Sequence, residues 1–155
     1  PVVTIAADSD ADSVDAIHHD IKGSLGGKLE YTKVDANDKW FYTTTKSVTA
    51  TSGDLIPDGS TATEGGSLTY PDDIRFLFLK NTGTTDGTTS TSSKVYLCLD
   101  GGDAASVSDV IEIGPGEAIN LKFKASGGVD QANLHAASSS GTVRCIVAAI
   151  IDDGG

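Results

Sequence analysis

The sharpest alternation of hydrophobic and polar positions runs from Asp109 to Lys124: Asp-Val-Ile-Glu-Ile-Gly-Pro-Gly-Glu-Ala-Ile-Asn-Leu-Lys-Phe-Lys. Ile111 and Ile113 fall on one side of an extended strand. Ile119, Leu121 and Phe123 fall on one side of a second, with Glu112, Asn120, Lys122 and Lys124 opposite. Period-two alternation marks a strand with one face on a core and one in water. Between the two lies Gly114-Pro115-Gly116-Glu117. Proline presets φ at the second turn position, and glycine accepts positive φ at the third. The stretch predicts a β-hairpin or a tight β-corner.

The same reading extends along the chain. Pro1–Ala7 alternates weakly, with Val3 and Ile5 against Val2 and Thr4. It predicts a short edge strand, or residues 1–11 as an extended arm laid on a partner. Over Asp12–Ile21 the pattern changes: Val14, Ile17 and Ile21 recur at spacings of three and four, with Asp12 and Asp15 as N-terminal caps. That predicts one short helix, ended by Gly23 and Gly26-Gly27. Lys28–Val34 and Lys39–Val48 read as two strands joined by the turn Asp35-Ala36-Asn37-Asp38.

Residues 51–66 read as loop. Asp73–Lys80 carries Ile74, Phe76 and Phe78 on one face and Leu77 and Leu79 on the other. Apolar residues on both faces predict a central strand, or one covered by a partner. Asn81–Ser93 is a Gly/Thr/Ser loop too polar to pack. Lys94–Asp100, the weaker Ala132–Ser138 and the long Thr142–Ile151 complete the strands. The last places Val143, Cys145, Val147 and Ile151 on one face and Ile146 and Ile150 on the other. The whole predicts an all-β chain: an antiparallel two-sheet β-sandwich, jelly-roll-like, with one short N-terminal helix, residues 1–155 forming a single domain. An immunoglobulin-like sandwich and an open barrel are the alternative arrangements.

Composition sharpens this picture. Of 155 residues, 22 are acidic and 11 basic, a formal charge of -11. Eighteen of the acids are Asp and four are Glu, and Asp favours turns and caps where Glu favours helix interiors. So negative a chain repels phosphate backbones and anionic lipid, which argues against nucleic-acid and membrane partners. No apolar run approaches the ~20 residues of a membrane span, and the N-terminal residues show no basic region followed by an apolar run, so no signal peptide is visible. Pro1 in a chain without Met suggests that an initiator Met was removed.

Candidate chemistry is sparse. Asp8, Asp10 and Asp12 have the spacing that opens a calcium loop, but Ser13 and His19 stand where Gly and Glu are needed. His18 and His19 are adjacent and diverge, and His135 is remote, so no zinc set forms. Cys98 and Cys145 both sit in strands. They bridge if their Cα atoms approach within ~7 Å; without an export signal, free buried thiols fit better. Gly26-Gly27-Lys28 lacks the rest of a phosphate loop. Glu112, Glu117, Asp72 and Asp73 offer carboxylate pairs, as chance allows in so Asp-rich a chain. No cofactor is implied and no nucleophile motif is present. Trp40 and Tyr42 share a strand face, with Phe41 opposite. They are core or interface anchors, or a sugar-stacking platform.

From Asp73 onward the chain resembles a known class. Asp73-Ile-Arg-Phe-Leu-Phe-Leu-Lys-Asn-Thr-Gly is followed by a polar loop and Lys94-Val-Tyr-Leu-Cys-Leu-Asp. Then come Asp109-Val-Ile-Glu-Ile-Gly-Pro-Gly-Glu-Ala and a last hydrophobic strand. This order of strands and turns, over about half of the chain, resembles small β-rich virion proteins of tailed bacteriophages, especially capsid decoration (cement) proteins. The resemblance implies a non-enzymatic virion protein, assembled in the host cytoplasm, that binds the major capsid protein as a dimer or trimer. Val2, Val3, Ile5, Trp40 and Tyr42 are the candidate interface residues. A carbohydrate- or receptor-binding module of a fibre or tail is the alternative.

Overall fold

In the computed structural model, residues 2–4, 16–20 and 28–32 are described as backbone strands, and residues 38–63, 66–124 and 127–152 with their side chains. The chain divides into two compact units, Pro1–Ala36 and Asn37–Gly155.

The first unit holds β1 (Val2–Thr4), β2 (Ala16–Asp20) and β3 (Lys28–Thr32) in a three-stranded sheet of that order. Both pairings are antiparallel, Val3 opposite His19 and His18 opposite Glu30. Val2–Thr4 is therefore an edge strand. The helix expected over Asp12–Ile21 is corrected at Ala16–Asp20, which are strand; the rest of that stretch lies outside the described residues. Ile17 and Ile21 are four apart, an even spacing that suits a strand face as well as a helix face. Only Val14, an odd step away, favoured the helix.

The second unit contains β4 (Lys39–Thr49), β5 (Gly53–Asp54), β6 (Asp73–Asn81), β7 (Val95–Cys98), β8 (Ile111–Ile113), β9 (Ala118–Lys122), β10 (Val129–Asp130), β11 (His135–Ser138) and β12 (Thr142–Asp152). One sheet runs β4-β12-β6, with β9 and β10 sharing the far edge of β6; the other runs β5-β11-β7-β8. All pairings are antiparallel. The chain crosses between sheets except at β7-β8 and β9-β10; β12 returns between β4 and β6, and β11 between β5 and β7. A five-stranded and a four-stranded layer wound in this way form a jelly-roll-like sandwich. The strands expected at Lys28–Val34 and Lys39–Val48 are found as β3, paired with β2, and β4, paired with β12; residues 35–37 of the turn expected to join them lie outside the described residues.

The core lies between the sheets. Phe41, Val48, Leu77, Leu79, Cys145, Val147, Ala149 and Ile151 from the first meet Val95, Leu97, Ile113 and Ala136 from the second. Burial of this apolar area is the main term holding the layers together. Two irregularities keep the inward faces aligned. Between Cys145 and Val147 the pairing with β4 jumps from Lys46 to Thr43, and between Ile150 and Ile151 the pairing with β6 jumps from Phe76 to Ile74. Each bulge inserts one residue, on β4 and on β6 respectively, without which the following apolar set would face outward.

The turn at Gly114–Glu117 is a corner, because β8 and β9 belong to different sheets. Glu117 N–H donates to the Gly114 carbonyl at 3.0 Å, and Gly116 has φ +82°, as a type II turn requires. Ile119, Leu121 and Phe123 pack against the core after the corner. Behind the second sheet, Ala104, Val107 and Val110 of the next loop cover Cys98 and Ala137.

The loop after β6 is built, contrary to its expectation as a segment too polar to pack. Asp86 accepts the backbone N–H and hydroxyl of both Thr88 and Thr89. Thr84 bridges to Ser90, and Arg144 donates to the Asp86 carbonyl at 2.6 Å. Hydrogen bonds order this segment where apolar contacts are lacking.

Candidate functional site

Two regions of the second unit carry side chains that the core does not explain. The first is the face of the β4-β12-β6-β9 sheet turned away from the second sheet. Trp40 alternates with inward Phe41, and Phe76 and Phe78 alternate with Leu77 and Leu79. The register sets out two rungs, Trp40–Ile150–Phe76–Lys122 and Tyr42–Ala148–Phe78–Asn120. Trp40 is 8% exposed and Tyr42 41%, while Phe76, Phe78, Ala148 and Ile150 are buried. The Trp40 and Tyr42 rings lie 8° from parallel with centroids 6.5 Å apart. Tyr42 N–H donates to Thr63 Oγ1 at 3.1 Å, and Thr63 N–H to the Trp40 carbonyl at 2.7 Å. These bonds fasten the edge of β4 beside the aromatic pair.

Ion pairs close one end of this sheet. Lys39 Nζ lies 3.4 Å from Asp72 Oδ2, both side chains nearly buried, and donates to the Ser67 carbonyl at 2.9 Å. Arg75 pairs with Asp152 and donates to the Lys124 carbonyl. Glu112 binds Lys94 at 2.8 Å, and Glu117 accepts from Gly114 N–H at 2.6 Å. Of the carboxylates considered for glycoside chemistry, Asp72, Glu112 and Glu117 thus have structural partners.

The second region lies beside β5, on the open side of the sandwich. A hollow of about 410 Å³ is lined by Thr51, Ser52, Asp54, Asp103, Ala105 and His135 among others. His135 Nδ1 lies 2.9 Å from the Gly102 carbonyl and Nε2 3.3 Å from Asp54 Oδ1. Tyr70 donates its hydroxyl to Asp54 Oδ2 at 2.9 Å. Partial burial, then the bond to the Asp54 carboxylate, pushes the Tyr70 phenol up to about 12. Lys46 reaches from the inner face of β4 to the Asp54 carbonyl at 2.6 Å. Burial lowers its pKa, against the opposing pull of Asp54 and Cys145.

This arrangement does not form a catalytic triad. Each nitrogen of His135 already faces an oxygen, which leaves neither turned towards a nucleophile or a metal. Among the described residues no group of three or more His, Cys, Asp or Glu is placed to hold a metal ion. Cys98 and Cys145 are both free and buried. Burial raises the Cys98 thiol, helped by its bond to Asp100, and pushes Cys145 up to about 12, so both stay protonated and poorly nucleophilic. Among the described residues no helix is long and apolar enough to cross a membrane.

Comparison of the chain with known protein families, characterised proteins and solved structures gave no match.

Of the predicted interface residues, Trp40 and Tyr42 are brought side by side. Val2 and Val3 lie in β1, paired with Asp20 and His19, and Ile5 lies outside the described residues. The cluster of Lys46, Asp54, Tyr70 and His135 was not legible in the sequence. Its members come from four separate segments, and no local spacing signals them. Of the four, only His135 was singled out in the sequence, as a histidine remote from His18 and His19.

Proposed function

We propose that this chain is a structural component of a tailed-phage virion, a decoration protein that binds the major capsid protein and stabilises the shell without catalysis. The observation that carries the reading is the joining of the two turns on which the phage resemblance rests. The Asn81-Thr82-Gly83 turn and the Pro115-Gly116-Glu117 corner sit against each other, with Gly116 N–H donating to the Asn81 carbonyl and Asn81 N–H to the Glu117 carbonyl, each at 3.0 Å. They join the end of β6 to the crossing between sheets, within a jelly roll, an architecture that viral capsid domains use.

The mechanism is adhesion. Copies on a shell make the same weak contacts many times, and symmetry converts them to a high effective affinity. Assembly as a dimer or trimer in the host cytoplasm would multiply the effect. Tyr42, beside Trp40, is the exposed aromatic anchor of the proposed interface. A carbohydrate- or receptor-binding module is the second reading, but Trp40 at 8% exposure offers a sugar ring little surface.

Mixing the purified protein with expanded, undecorated capsids tests the proposal. Saturable binding at fixed stoichiometry and a raised capsid melting temperature are expected. Folded protein that leaves the capsids unbound overturns it.

A further inference from the structure

Lys46 occupies a position unlike the chain's other described amines. It projects from the inner face of β4, opposite Cys145, yet lies at the open side of the sandwich where β4 and β5 are both edge strands. Its Nζ spans to the facing sheet and is held by the Asp54 carbonyl at 2.6 Å. Beside it is a half-open hollow of about 110 Å³, lined by Val48, Thr49, Thr51, Gly53 and Ala136. The neighbouring 410 Å³ hollow shares Thr51, Gly53 and Asp54, so the small chamber borders a wide mouth.

We propose that Lys46 is a nucleophilic amine site that captures small, uncharged aldehydes as an imine. A desolvated lysine is a nucleophile because burial favours its neutral form. The Asp54 carboxylate is already engaged by Tyr70 and His135, and Lys46 meets that residue's carbonyl. By contrast, Lys94 is held as a cation by its hydrogen bond to Glu112. A chamber of about 110 Å³ has room for only a few non-hydrogen atoms, since one water occupies ~30 Å³ of liquid. The Asp54 and Asp103 carboxylates on the wide hollow disfavour anionic reagents and so select uncharged ones.

The step balances without an oxidant. The Nζ lone pair forms a bond to the aldehyde carbon, and the nitrogen gives up one proton as the carbonyl oxygen gains one, which leaves a carbinolamine. Loss of that oxygen as water, with one proton drawn from solvent, leaves a protonated imine. Its remaining N–H stays on the Asp54 carbonyl.

The test uses the folded protein, limiting acetaldehyde and cyanoborohydride at neutral pH, followed by peptide mapping. Lys46 should be alkylated several-fold faster than Lys94, because each unit of pKa lowering gives about tenfold more free amine. The advantage should shrink as pH approaches 10.5, the ordinary lysine value. Glyoxylate, an aldehyde that carries a negative charge, should show a smaller Lys46-to-Lys94 labelling ratio than acetaldehyde does. Labelling of Lys46 no faster than Lys94 at neutral pH overturns the site, and an equal Lys46-to-Lys94 ratio with glyoxylate overturns the ligand class. Lys46→Arg, checked for native folding, should lose the fast-labelled peptide and leave Lys94 labelling unchanged; a fast phase surviving in it also overturns the assignment.

Discussion

Gly116 N–H donates to the Asn81 carbonyl at 3.0 Å, which fastens the corner between the two sheets to the end of β6. The Asn81 side chain is fully buried at this junction. Its Nδ2 donates to the carbonyls of Ser93 at 2.9 Å and Ile113 at 3.2 Å, and its Oδ1 accepts from Gly83 N–H at 2.8 Å. One amide thus satisfies backbone groups in three connections.

Replacing Asn81 with Ala strands those groups without water, at a cost of about 2–4 kcal/mol. Asn81→Asp keeps the shape but removes both donors and places a carboxylate against two carbonyls, so it should be no milder. Urea denaturation reads both. A loss below about 0.5 kcal/mol for Asn81→Ala would show that the junction does not depend on this side chain.

Lys39 and Asp72 form a nearly buried ion pair at one end of the first sheet. Lys39→Met leaves the Asp72 carboxylate without its cation and should destabilise by about 3–5 kcal/mol. Lys39→Met combined with Asp72→Asn should recover part of that loss, because the uncompensated charge is gone. The two variants compared by denaturant titration give the sign directly.

Alkaline pH should weaken the fold through two groups. Cys145 is raised from 9.0 to about 12 and Tyr70 from 10.0 to about 12. In each case the folded state holds the proton more tightly, so the stabilisation is complete below the unfolded value and lost as pH rises towards about 12. The melting temperature should therefore fall across that window, and Tyr70→Phe should flatten its upper part. An unchanged slope in Tyr70→Phe would count against the Tyr70–Asp54 bond.

Asp86 works in the opposite direction. Its four hydrogen bonds, those from the Thr89 and Thr88 backbone first, hold the carboxyl well below the usual range. Its contribution is present above the ordinary carboxylate value of ~3.9 and lost as pH falls through the lower folded value. Asp86→Ala should speed amide exchange at Thr88 and Thr89 at neutral pH and leave the global unfolding midpoint nearly unchanged. Gly87→Ala should open the same loop, because φ is +102° and an added Cβ would run into the Arg144 guanidinium.

The sheets were legible because alternation survives in the sequence. Val143, Cys145, Val147 and Ile151 were assigned to one face of β12, and all four lie in the core. The corner was readable from Pro115 and Gly116, but its identity as a corner was not. Turn chemistry fixes local φ, whereas the choice between hairpin and crossing depends on which sheet takes β9. The helix reading of Ala16–Asp20 failed because a four-residue spacing serves both periods. The order of residues 82–93 was hidden because it rests on Asp86 and Arg144, 58 residues apart. Trp40 and Tyr42 were singled out from strand parity, which places both on one face but cannot tell that Trp40 is buried and Tyr42 is not.

The most direct test of the proposed adhesive role is a count of this chain, by quantitative mass spectrometry against the major capsid protein, in purified particles of the phage proposed to carry it. A decoration protein should be present in a fixed, lattice-set ratio to the capsid subunit and should be retained through gradient purification. Absence from the particles, or a copy number matching only a single tail or fibre position, would contradict the account.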